Sequence, residues 1–114
     1  MFKKYAPHIS FLTLLLIVSC ATKPQSDVDT PEYHFKAGMR AIDNEDYQQS
    51  ITSFQRSVDL DSKFALGYGG LGLANAYLKN NKNAKDFASK CASRGSKDPD
   101  ALSLSARVWI TMRD

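Results

Sequence analysis

Cysteine is scarce in this 114-residue chain: Cys20 and Cys91 are the only two, so a domain held by several disulfides is excluded. Histidine is equally scarce, and His8 and His34 lack the companions and spacing of a metal pair. No apolar run reaches the ~20 residues of a membrane-spanning helix, and the longest, from Ile9 to Val18, supplies about half of that. Clustered Lys and Arg are missing too, which leaves no electrostatic footprint for nucleic acid. Gly67, Gly69, Gly70 and Gly72 make a glycine-rich stretch, but no Gly-Lys-Ser/Thr follows it and no strand pattern precedes it. Close helix packing is therefore its expected use, with a small-ligand site as the rival reading. Glu45 and Asp46 read as turn and cap residues rather than as an acid–base pair. No catalytic set, metal site or cofactor is expected.

What is present begins at the amino end. Lys3 and Lys4 precede the apolar stretch Phe11 to Val18, and Ile17-Val18-Ser19-Cys20 closes it with a small residue before the cysteine. This arrangement resembles the signal peptide and lipobox of bacterial lipoproteins. The resemblance implies a signal peptide over 1–19, cleavage before Cys20 and a thioether-linked lipid on its sulfur. Two competing readings are a spanning anchor, for which the run is short, and an ordinary secretory signal with an unmodified cysteine. Each buried methylene contributes about 0.8 kcal/mol, and two or more acyl chains hold a protein stably without its crossing the bilayer. Removal of 1–19 leaves 95 residues, enough for one small domain. It also takes Lys3 and Lys4 out of the formal +3, leaving 13 basic against 12 acidic residues. Cys91 then has no partner in the chain, and Phe87 and Ala88 at helical spacing before it predict a small buried core residue rather than a reactive thiol.

Ala21 to Thr30 is polar and aperiodic, so 20–30 reads as a lipidated cysteine and a flexible tether. From Pro31 onward the apolar spacing stays near the helical period and no alternation of strand type survives, so 31–114 is expected to be all-α. Thr30-Pro31-Glu32 predicts a helix start, with a first helix to about Asn44. Asp46 with Gln49 three residues on predicts a capped second helix from Tyr47 to Leu60. Ser62 is the expected cap of a third, about Lys63 to Lys79, in which Gly69 and Gly70 predict a weak or bent stretch. A fourth follows the polar break at Asn80 to Asn83 and ends near Arg94, with Gly95 as a left-handed cap. Asp98-Pro99 opens the fifth.

Shifting the sequence against itself by 34 residues places Gly38 on Gly72, Ala37 on Leu71, Ser50 on Ala84 and Ser57 on Cys91. With Leu71-Gly72, Tyr47, Phe54, Leu60-Asp61 and Asp98-Pro99, the pattern resembles the tetratricopeptide repeat over about 31–98. Two departures stand out: Ser62 where that family usually has proline, and Glu45 where it often has glycine. Because Asp61 and Asp98 are 37 residues apart, the second repeat is expected to carry about three extra residues. The implied fold is a short tetratricopeptide-like (TPR-like) array of helical hairpins, two repeats plus a terminal helix.

The resemblance further implies a concave face that binds a peptide or helix of a partner protein. Mapped onto this sequence, that face takes Phe35, Met39 and Asp43 from the first repeat, Leu73 and Tyr77 from the second, and Arg107 from the terminal helix. Ordinary core is the competing reading for the apolar members, and solvation for the two charged ones. Trp109 is the expected partner anchor on the fifth helix, where Leu102, Leu104, Val108, Ile110 and Met112 spread apolar bulk around more than one face. The expected function is a lipid-anchored, non-enzymatic adaptor of the bacterial cell envelope, assisting assembly of a pilus, secretion or outer-membrane complex. Ala21 after the lipid cysteine resembles the outer-membrane sorting pattern, facing the periplasm. The alternative is a structural homo-oligomer that pairs through the fifth helix.

Overall fold

A computed structural model describes residues 28–114. The expected signal peptide, Cys20 and most of the tether lie outside these residues. Five helices follow in order: α1 Pro31–Asp43, α2 Tyr47–Leu60, α3 Ala65–Tyr77, α4 Asn81–Arg94 and α5 Pro99–Arg113. No strand occurs among the described residues, so the domain is all-α as its periodicity predicts. No helix of the described residues is long and apolar enough to cross a membrane.

Local chemistry sets most of the boundaries. The hydroxyl of Thr30 accepts from the amide of Tyr33 at 3.1 Å, Pro31 fills the first helical position and Glu32 faces the positive end of the dipole. Asp46 caps α2 by accepting from the amide of Gln49, and Asp98 caps α5 by accepting from Asp100. At α3 the expected start is wrong. The helix begins at Ala65 after Phe64, which makes no side-chain cap bond. Ser62 instead presents its carbonyl to the hydroxyl of Tyr68 and to Nε of Arg94, at 3.0 and 3.1 Å. Gly95 is not a left-handed cap either, since its φ is −107°. A side chain there would run into Ala101 and Ala65, so close approach selects the glycine.

The helices keep one pitch. α1, α3 and α5 start at Pro31, Ala65 and Pro99, and α2 and α4 at Tyr47 and Asn81, each 34 residues from its predecessor in the series. The two turns that close α1 and α3 each hold a non-glycine residue at positive φ, Glu45 at 60° and Lys79 at 64°, again 34 apart. The expected three extra residues in the second half are therefore absent. Asp98 corresponds to Phe64, not to Asp61, whose own counterpart is Gly95, so the 37-residue interval joined unlike positions.

α1 packs on α2, α3 on α4, and α3 touches all four other helices. That central place explains its composition. Ten of its thirteen residues are buried, among them Gly67, Gly69, Gly70 and Gly72. The ring of fully buried Phe54 on α2 fills the space that side chains on Gly38 and Gly70 would need, and the backbone of α4 crosses Gly72. α3 runs unbroken through the four glycines, so they serve close packing rather than a bend. Buried side-chain nitrogen and oxygen atoms all have hydrogen-bond partners among the described residues. Ser57 donates to the carbonyl of Pro31 at 2.7 Å, and Ser105 donates to that of Ala88 at 2.9 Å, which ties α2 to α1 and α5 to α4.

Candidate functional site

Because α1, α3 and α5 share one phase, they present one face. Where they meet lies an open hollow of about 260 Å³ lined by Phe35, Leu66, Asp100, Ser103, Leu104 and Arg107. Its floor is apolar. Phe35 of α1 is half-buried, held edge-on by Phe64 and tilted against Phe54, with ring centres 6.1 and 5.8 Å away. Leu66 of α3 and Leu104 of α5 complete the floor. The rim is polar and comes from α5, where Asp100, Ser103 and Arg107 are exposed. Asp100 and Arg107 stand two turns apart, about 10 Å along the axis. Neither takes part in a salt bridge among the described residues, so each keeps its charge for solvent or a ligand. The hollow can take one apolar side chain while the rim addresses both ends of a short polar backbone segment.

Of the residues expected to face a partner, Phe35 and Arg107 come together here. Met39 is half-buried against the core, and Asp43 is exposed at the end of α1, away from the hollow. Leu73 is fully buried, which corrects its assignment to the binding face. Of α3 only Leu66, Tyr68 and Tyr77 are less than fully buried, so Leu66 opens onto the hollow while Leu73, two turns further along the same face, is closed over by core. Tyr77 stacks on Tyr47 with ring centres 4.9 Å apart and planes 8° from parallel, which makes it a packing contact between α3 and α2, across the two hairpins. Trp109 is 44% exposed, on α5 but not in the hollow.

Leu66, Asp100 and Ser103 escaped the sequence reading and Leu104 entered it only as apolar bulk of the fifth helix, although the 34-residue pitch contains two of these positions. Asp100 is the counterpart of Leu66, and Ser103 lies two pitches after Phe35.

Three other groups of side chains stand out. Asp29 accepts from Nε of Arg56 at 3.1 Å and lies 2.8 Å from Nε2 of His34. The hydrogen bonds from Arg56 and then His34 hold its carboxyl below the usual aspartate range. The last residues of the expected tether are thus fastened to α1 and α2 rather than free. Between α3 and α4, Arg94 lies over the ring of Tyr68, 4.6 Å from its centre, and Lys90 lies 5.8 Å from the same ring and 5.6 Å from that of Phe87 on its own helix. Cys91 is fully buried and donates to the carbonyl of Ala101 at 3.2 Å. Burial pushes its thiol up to about 11, which fits the expected core role. No three His, Cys, Asp or Glu side chains converge as metal ligands among the described residues.

Comparison with protein-family models, with curated proteins and with solved structures finds no match.

Proposed function

We propose that residues 31–114 form a TPR-like adaptor that binds a segment of a partner protein in the hollow between α1, α3 and α5. The observation that carries this reading is the hollow itself, an apolar floor with an acid and a base on its rim that form no salt bridge among the described residues. The unbroken 34-residue pitch supports the repeat reading, because it gives the first helix of each unit the same outlook. An extended segment with one bulky apolar side chain suits the floor, and its flanking amide or charged groups suit Asp100 and Arg107. No step of chemistry is assigned to these residues.

The lipobox resemblance at Ile17 to Cys20 supports attachment to the bacterial envelope through lipid on Cys20, at the outer membrane facing the periplasm. There the adaptor would assist assembly of a pilus, secretion or outer-membrane complex. Two experiments test the parts separately. A photocrosslinking residue at exposed Ser103 should capture a defined protein in the native envelope, and Arg107→Glu should reduce that capture tenfold or more. Equal capture by the Arg107→Glu variant would remove the groove. Cys20→Ala should abolish acyl labelling and release the domain from the membrane fraction, and persistent labelling would remove the anchor.

A further inference from the structure

The outer face of α5 is apolar. Leu102, Trp109 and Ile110 are 43%, 44% and 58% exposed, and exposed Ala106 lies among them. Their spacing puts all four on one stripe, turned away from the buried Ala101, Leu104, Ser105 and Val108. The pitch of the fold identifies this stripe. Ala106 occupies on α5 the place that Gly38 holds on α1 and Gly72 on α3. Phe54 of α2 lies against Gly38, and α4 crosses Gly72 at Ala84 and Ala88. On both earlier helices the face is thus covered by another helix, and on α5 no described residue covers it.

We propose that this stripe pairs with the same stripe of a second copy of the chain, the two α5 helices running antiparallel about a twofold axis at Ala106. The stripe complements itself in that register. Alanine at the crossing lets the axes approach to about 8 Å, the close end of helix packing. Leu102 of each copy meets Trp109 of the other on one side of the axis, and Ile110 meets Ser103 on the other side. The end of α5 that carries Asp98 and Asp100 lies under the turn of the second copy that carries Arg113 and Asp114; Arg113 is the one in line with the stripe and meets Asp98, while Asp114 falls on the flank of Asp100. Opposed helix dipoles add to the preference.

Asp100, Ser103 and Arg107 lie along one flank of the stripe, so the twofold axis puts the two hollows on the same side of the pair. The dimer would present two equal pockets in one direction, and it stands whether or not the hollow binds a protein. A single helix pair buries less than the ~1,200 Å² of stable complexes. Association is accordingly weak and concentration-dependent.

The test uses the purified full chain carrying Cys20→Ala, so that the introduced thiol is the only accessible one. At about 1 mM protein, where a Kd of that order still leaves a large share paired, oxidation of an Ala106→Cys variant should give a band at twice the monomer mass. The α4 variant Lys85→Cys should give none under the same conditions. Adding Trp109→Glu to Ala106→Cys should cut the dimer band at least tenfold with the helical circular dichroism unchanged. No band from Ala106→Cys, or equal bands from both cysteine variants, would overturn the proposal. So would a dimer band that survives Trp109→Glu. In native envelopes, crosslinking of Ala106→Cys to a protein of another mass would assign the stripe to that protein instead. A blue shift of Trp109 emission on vesicles without any dimer band would assign it to the lipid surface. Either result also overturns pairing between copies.

Discussion

Both carboxylate oxygens of Asp29 are engaged by the guanidinium of Arg56, 27 residues further along, so the segment before α1 is fastened to the middle of α2. His34 shares one of the two oxygens. The sign of the pH dependence follows from the depressed carboxyl of Asp29. A group whose folded value lies below its unfolded value stabilises at pH above the ordinary aspartate value of about 4, and that contribution is lost as pH falls through the folded value. Asp29→Asn should lower the urea midpoint at pH 7 and leave it unchanged once the wild-type carboxyl is protonated. The pair is exposed, so the shift is small and should shrink in 1 M salt. In a double-mutant cycle, Asp29→Asn and Arg56→Met should be clearly non-additive at pH 7, and strict additivity would break the assignment.

Alanine favours a helix interior over glycine by about 1 kcal/mol, yet Gly70→Ala should destabilise. The added methyl would occupy the ring of Phe54, and overpacking of this kind costs about 1–3 kcal/mol. Urea unfolding of Gly70→Ala gives the sign directly. Phe54→Ala, which empties the same site, should cost about 3–5 kcal/mol.

Glu45 and Lys79 carry side chains at positive φ, where an L-residue is disfavoured by about 1–2 kcal/mol. Glycine relieves that strain but adds about 0.4–1 kcal/mol of unfolded-state entropy. The difference favours glycine, so Glu45→Gly and Lys79→Gly should each raise stability by up to about 1 kcal/mol. Thermal melts of the two variants should move upward together, because the two turns have the same geometry.

Burial and the raised thiol of Cys91 make it unreactive in the folded domain. A maleimide at pH 8 should label it only at the rate at which the domain opens, and added urea should accelerate labelling in step with unfolding. Prompt labelling in the absence of denaturant would contradict this.

The sequence declares helix ends where a side chain does the capping. Thr30, Asp46 and Asp98 do so, and α1, α2 and α5 begin where these residues predict. α3 starts without a side-chain cap, and Ser62 imitates one two residues too early. Gly95 imitates a left-handed cap although its glycine answers to Ala65 and Ala101, contacts across the fold that local pattern cannot reveal. The hollow was legible in part. Phe35 and Arg107 lie on helices with one side free, where a repeat position translates into a direction. Leu73 lies on a helix apolar around nearly its whole circumference, where the pattern does not distinguish it from Leu66, two turns earlier on the same face and open to the hollow.

α3 also governs how the domain comes apart. Its four glycines forfeit roughly 3–4 kcal/mol of helix propensity relative to alanine, so the segment has no helix to keep when its surroundings leave. Longer repeat arrays can fray from an end while the middle persists, because each unit leans only on the next. Here the middle is the element least able to stand alone. Removing either terminal helix strips a wall from α3, so proteolysis at one end should proceed to complete digestion without a trimmed, folded remnant.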